Sequence, residues 1–207
     1  LTTAGRASLR EQVQHLGSAV VVDAELTGDL AEGERVHGVD FDGCTFSGSL
    51  EAARLTGCTF TECTFEAANL SRVDLTDSRF IDCSFVRCKV LAVNFAVAGA
   101  GAVSAQPVTF ESCQLDLATF QEVDATGFAF LECSLREVDF ASATLRRARF
   151  SGSRLDGARF AGADLRDADL TSATGYAIDP RHTRVTGARF SAPDALALLD
   201  PFDIVIA

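Results

Sequence analysis

The chain has 207 residues, 47% of them hydrophobic, a net charge of −11 and a pI of about 4.6. So acidic a balance disfavours direct nucleic-acid binding, which needs a basic footprint, and no apolar run approaches the length that crosses a bilayer. Seven cysteines lack the paired spacing of a zinc site, and the absence of Trp leaves no aromatic platform for a sugar.

In residues 6–16, Leu9, Val13 and Leu16 fall at helical spacing and predict a short helix. A strand is expected at Val20, Val21 and Val22, and residues 1–23 together read as a cap over an open end. The valines lack the basic lead and cleavage pattern of a signal peptide, so a cytoplasmic protein is expected. From about residue 24 to residue 190 a large apolar residue returns every fifth place. Weak repeats begin at Leu26 and run through Val36, Phe41 and Phe46. Between Phe46 and Leu50 the interval is four, which predicts a bulge or a tightened corner. The new register continues through Leu55, Phe60, Phe65, Leu70, Leu75, Phe80, Phe85, Val90 and Phe95.

Residues 96–107 are thin but keep the phase, with Ala100 and Ala105 on fifth places. They are expected to form a degenerate half-coil, and the alternative is a loop thrown out between Phe95 and Phe110. From Phe110 the series is strongest, running through Leu115, Phe120, Phe130, Leu135, Phe140, Leu145, Phe150, Leu155, Phe160, Leu165 and Leu170, with Ala125 its one break. Two places before each sits something small or apolar, Phe128 being the large exception. All seven cysteines (Cys44, Cys58, Cys63, Cys83, Cys88, Cys113, Cys133) hold that place, as buried small hydrophobes suited to a reducing compartment.

A period of five is neither the 3.6 of a helix nor the 2 of an ordinary strand. If every fifth side chain points inward, the backbone turns by one fixed step per repeat. Four quarter turns close a square, so twenty residues make one coil. Successive coils pair backbone to backbone at about 4.8 Å, and stacking buries one continuous core. The expected fold class is an all-β solenoid. After Leu170 the repeat fades, with Tyr176 and Ile178 expected to cover the last coil before Val185 and Phe190 return in phase. In residues 191–207, Ser191 is expected to cap a helix starting at Ala192 and Pro193, with Asp194 in its third place and Pro201 ending it. Residues 202–206 read as a short strand. Leu196, Leu199, Phe202, Ile204 and Ile206 are the expected homodimer interface, unless the tail folds back over the core.

Two segments carry a family resemblance. Ala163-Asp164-Leu165-Arg166-Asp167 and Ala168-Asp169-Leu170-Thr171-Ser172 resemble the A-(D/N)-L-x-x consensus of pentapeptide-repeat proteins, over roughly residues 24–190. That resemblance implies a right-handed quadrilateral β-helix. The tail is similar to that of the Qnr- and MfpA-type quinolone-resistance branch. This second resemblance implies dimerisation through the C-terminus. It also implies binding of DNA gyrase or topoisomerase IV in the groove meant for DNA, with inhibition, protection from gyrase poisons, or both. In protecting members a projecting loop matters, and residues 96–107 are the candidate, without charge or aromatics.

On an uninterrupted twenty-residue coil Glu62, Asp82 and Glu122 fall on one edge, with Glu66, Asp124 and Asp164 nearby, as an acidic partner-binding surface. Such acids would recur at multiples of about 4.8 Å, whereas duplex phosphates advance about 3.4 Å per strand; the match is of sign and rod shape. Arg146, Arg147, Arg149, Arg154 and Arg159 would flank it as a basic patch. Two functional readings stand, a DNA-mimicking topoisomerase modulator and a scaffold for a different protein, beside the bland account of a solvated wall. His15, His37 and His182 have no evident nucleophile or orienting partner. No catalytic residue, metal site or cofactor is expected, and the chain is not expected to be an enzyme.

Overall fold

The computed structural model describes residues 9, 20–98, 107–192 and 194–204. They wind into a four-sided parallel β-solenoid of stacked coils. Three of the sides carry short strands, most of three residues with a buried residue at the centre, and the remaining side and most later coils are joined by isolated parallel bridges. Asp40–Asp42, Thr59–Thr61 and Arg79–Ile81, for example, bury Phe41, Phe60 and Phe80. Threonines crowd the outward places because a β-branched side chain suits a pleated, half-buried surface. Two residues after each centre the chain turns a corner in the left-handed region, as at Glu62 (φ 51°), Asp82 (φ 52°) and Glu122 (φ 61°). The corner amide then bonds the next coil: Glu62 N–H donates to the Ile81 carbonyl at 2.9 Å.

Four columns of side chains line the interior. The first face carries Val21, Phe41, Phe60 and Phe80, and later Ala125, Leu145 and Leu165. The second carries Leu26, Phe46, Phe65, Phe85, Phe110, Phe130, Phe150, Leu170 and Phe190. The third is aliphatic, from Leu50 and Leu70 through Val90, Leu115 and Leu135 to Leu155. The fourth runs from Val36, Leu55 and Leu75 to Phe95, Phe120, Phe140 and Phe160. Rings stack within a column (Phe85 on Phe110, 4.7 Å) and meet edge to face across the coil (Phe130 and Phe140, 5.7 Å). Where the first face shrinks to Ala125, Phe128 is buried two places before Phe130 and fills the space beside it. All seven cysteines are free and buried in the small corner places. Burial pushes the Cys44 and Cys58 thiols up, so they stay protonated, and each donates to backbone carbonyls.

The shortened interval at Phe46–Leu50 is a tightened corner. Val36 sits on Leu55, Phe41 on Phe60 and Phe46 on Phe65, nineteen residues apart where other coils use twenty. There Gly48 rests directly on Gly28, so close that a Cβ on Gly48 would lie 2.4 Å from the Gly28 carbonyl oxygen. The same corner is short one coil earlier. Leu30 is 3% exposed and its N–H donates to the Ser49 carbonyl, which makes Leu30 the core residue beneath Leu50. The periodicity had passed over it.

The half-coil expected at residues 96–107 does not fit the register of the coils around it; residues 99–106 themselves lie outside the described residues. Phe85 pairs with Phe110, Lys89 with Gln114 and Asn94 with Thr119, each twenty-five residues apart. A wound half-coil would instead have set Ala105 on Phe85 and Phe110 on Val90. Register still holds at Val97, whose carbonyl accepts from Asp77 N–H, and again at Pro107 beneath Gly127. Nine residues lie between these two points where the coil before uses four. The reason is packing: stacking Phe110 on Phe85 and Phe120 on Phe95 (4.5 Å) keeps ring on ring, whereas alanines wound into the column would leave voids.

At the N-terminal end Val20–Val22 is a strand, paired with Asp40–Asp42. Leu9 is helical and 2% exposed; the rest of the helix expected at 6–16 lies outside the described residues. At the other end Tyr176 and Ile178 are buried over the last coil, and Arg189–Phe190 pairs with Asp169–Leu170.

Candidate interaction surface

The wall holds two kinds of acid with different work. One kind sits just before the core residue. There Asp74, Asp124, Asp139, Asp164 and Asp169 each accept, through Oδ1, the backbone N–H two residues on. This closes a small Asx turn over the core residue and explains why the repeat favours Asp or Asn in that place. The other kind sits at corners and projects outward. Glu62, Asp82 and Glu122 are exposed corner acids whose carboxylates, among the described residues, have no ion-pair or hydrogen-bond partner.

The six expected site residues divide along this line. Glu62 and Asp82 stack on the corner between the first and second faces. Glu122 does not join them, because the coil from Phe85 to Phe110 takes twenty-five residues, which sets it one corner away, on the opposite edge of the first face. Asp124 lies on that face but is tied to Thr126 by its hydroxyl and N–H. Glu66, on the second face, is ion-paired with Arg87. Asp164 does not project: it is 9% exposed and gripped by Arg166 (Nε at 2.8 Å), which holds its carboxyl below the usual range. Arg184 stands 3.8 Å from the same carboxylate.

Around the first face and its two corners, from the first coil to the sixth, stand Asp23, Asp40, Asp42, Glu62, Asp77, Asp82, Glu122 and Asp124. Arg79 is the one base among the described residues there. Beyond Asp124 the sign reverses: Arg146, Arg147, Arg166 and Arg184 face Asp164 and Asp167, with Asp164 already neutralised. The basic patch expected from the sequence is a belt instead. Arg146 and Arg147 lie at the first face, Arg149 on the second, Arg154 on the third and Arg159 on the fourth.

The C-terminal segment departs from expectation in three ways. Asp194–Phe202 is a 3-10 helix, and Pro201 lies inside it rather than ending it. Ser191 does not cap it by its side chain; its carbonyl accepts from Ala195 N–H, while its hydroxyl accepts from Ser172 N–H. The expected strand does not start at Phe202, which is the last helical residue, and Ile204 is irregular. Val205 and Ile206 lie outside the described residues. Leu196, Phe202 and Ile204 are 47%, 47% and 53% exposed, with Leu199 half-buried and the Arg181 guanidinium 5.5 Å from the Phe202 ring centre. Beneath them the Tyr176 hydroxyl is buried without a hydrogen-bond partner.

Among the described residues no group of His, Cys, Asp and Glu could hold a metal ion, and no helix is long and apolar enough to cross a membrane. Searching the curated proteins with this sequence finds no match. Solved structures do match. Trypsin-treated variants of QnrB1, described as a plasmid-mediated fluoroquinolone resistance protein, align at 17% identity. One has a TM-score of 0.61 over 88% of this chain and 98% of its own. The other scores 0.62 over 92% and 100%. HetL from the cyanobacterium Nostoc, a pentapeptide-repeat protein involved in heterocyst differentiation regulation, aligns at 20% identity and TM-score 0.50, over 88% of this chain and 92% of its own. At these identities the likeness shows the fold. Two models of one repeat family also match the sequence, "Pentapeptide repeats (8 copies)" over residues 49–89 and "Pentapeptide repeat region" over residues 103–174, together more than half of the chain. With its five-residue period, its Asx-closed repeats and its four-sided winding, the chain belongs to the pentapeptide-repeat family.

Proposed function

We propose that this protein is a non-enzymatic modulator of a type II topoisomerase, DNA gyrase or topoisomerase IV, and that it offers the acidic first face of its rod in place of DNA. The observation that carries the reading is the set of exposed acids along one side of the described coils, from Asp23 to Asp124, with Arg79 the sole base among the described residues there. Such a side focuses a negative potential toward a basic groove and makes association fall steeply with salt. QnrB1, described as a fluoroquinolone resistance protein, lends the fold-level analogy. The outcome is protection from gyrase poisons, seen as antibiotic resistance or self-immunity.

The test adds the purified protein to gyrase and reads both supercoiling and poison-trapped cleavage complexes. An effect at micromolar concentration is expected. Glu62→Lys, Asp82→Lys and Glu122→Lys combined should remove it without lowering the melting temperature, since all three side chains are exposed. An effect that survives this triple reversal would sink the mimicry. The change of sign beyond the sixth coil favours a second reading, a scaffold for a different partner bearing both charges; gyrase unaffected in both readouts would leave that one standing.

Self-association belongs to the same proposal. Leu196, Leu199, Phe202 and Ile204 make an apolar face at the end of the rod, where a two-fold contact would cover them. Sedimentation should give the mass of two copies, and Leu196→Glu with Phe202→Glu should give one. A single-copy mass for the unaltered protein removes the dimer and leaves the acidic face untouched.

A further inference from the structure

We propose a second binding site, for a phosphate-type oxyanion, on the fourth face where Arg35, His37, Arg54 and Thr56 line a shallow concavity. Most arginines of the wall are matched with an acid on their own or the neighbouring coil, as Arg72 is with Glu51, Arg136 with Asp116 and Arg159 with Asp139. Arg35 and Arg54 form no such ion pair among the described residues, although Asp74 lies opposite Arg54 on the next coil. They are directly opposed in the parallel ladder, Arg35 on Arg54, one strand spacing or about 4.8 Å apart at the backbone. Both are exposed, and neither has an ion-pair partner among the described residues. Like charges directly opposite are destabilising in a sheet. Among the described residues Arg79, Arg146, Arg147 and Arg149 also lack ion pairs, but none of these is opposed there by another unpaired cation.

The next pair along the same two strands is His37 on Thr56. His37 Nδ1 lies 3.1 Å from the Thr56 hydroxyl, which orients the ring. When the Thr56 hydroxyl donates to Nδ1, the ring carries its proton on Nε2, which is then free to donate. Two guanidinium groups and an imidazole N–H thus line one concavity. A tetrahedral dianion can use all of them, whereas a planar carboxylate engages one fork and leaves the second cation unsatisfied. Asp74 lines the same concavity, opposite Arg54. Its Oδ1 is taken by the Thr76 N–H and hydroxyl, and its negative charge competes with the anion for Arg54.

The source of the phosphate is either the free ion or a phosphorylated side chain of a partner protein. The experiment titrates the full chain, in chloride buffer of fixed ionic strength, with inorganic phosphate and separately with a phosphoserine peptide and its unphosphorylated twin. The His37 imidazole resonances and the heat of binding are followed. Saturable binding of at least one phosphate probe, with movement of the His37 signals, is expected. Arg35→Gln with Arg54→Gln should weaken it by at least about tenfold, Asp74→Asn should strengthen it, and Arg79→Gln, which removes one positive charge on another face, should leave it unchanged. Binding by inorganic phosphate identifies the free ion; binding by the phosphopeptide alone identifies a modified partner. No saturable response to either probe, or an equal loss in Arg79→Gln, overturns the site.

Discussion

Replacing Phe140 with Ala should lower stability by about 3–5 kcal/mol, read as a fall in the denaturation midpoint. The ring is fully buried. It stacks 5.3 Å from Phe120 and 5.3 Å from Phe160, and meets Phe130 and Phe150 edge to face. Removing it opens a void between two columns whose backbones are fixed by ladder bonds on both sides, so the surroundings cannot close in. A paired control sets inside against outside. Ala143 is 1% exposed in a corner, whereas Thr144, next to it, faces outward between Asp124 and Asp164. Ala143→Lys should therefore be as damaging as the ring deletion, because an ammonium would enter an apolar interior. Thr144→Lys should stay within about 0.5 kcal/mol of the parent. Equal tolerance of the two lysines would contradict the winding itself.

Gly48→Ala is expected to cost about 2–5 kcal/mol, combining backbone strain with overpacking. The position has φ 108°, which an L residue rarely adopts, and its new methyl would meet the Gly28 carbonyl, which is backbone and cannot swing away. Gly33→Ala makes the comparison. At φ 73° a Cβ there meets nothing within 4 Å, so only the conformational penalty of about 1–2 kcal/mol remains. Many corners already carry Glu, Asp, Arg or Ala at φ near 50–60°, which is why close approach rather than the turn alone makes Gly48 the sensitive position. Urea midpoints of the two variants that coincide would refute this account of the tightened corner.

The interior was legible because burial here depends on one number, the period, and that number survives every substitution among Phe, Leu and Val. Leu30 escaped because its short interval from Leu26 is followed by a longer one to Val36, so it belongs to no run of fives. Residues 96–107 were misread because phase alone cannot separate five residues wound in from five looped out: both return Phe110 to the inside. A further signal was present in the chain. The third face is aliphatic throughout, and only the looped register stacks Leu115 on Val90 and Phe110 on Phe85. The candidate surface was legible in sign but not in place, since the position of Glu122 relative to Asp82 hangs on that same ambiguity. Nor does composition tell a projecting acid from one that closes a turn. Asp164 looks like Glu62 until its bonds to Arg166 are known. The tail followed its apolar content but not its geometry, because Pro201 is tolerated within 3-10 winding.

Since each coil rests only on the ones above and below, this molecule has no centre whose collapse would bring down the whole. Its partial disorder should take the form of shortening, a fraying that starts at whichever end is less well covered and consumes the rod one storey at a time. The tail, with Leu196, Phe202 and Ile204 turned toward solvent, is a thin lid. Whatever settles on that lid therefore governs how much of the rod stands upright at any moment, and through it how long a column of charge the protein can display.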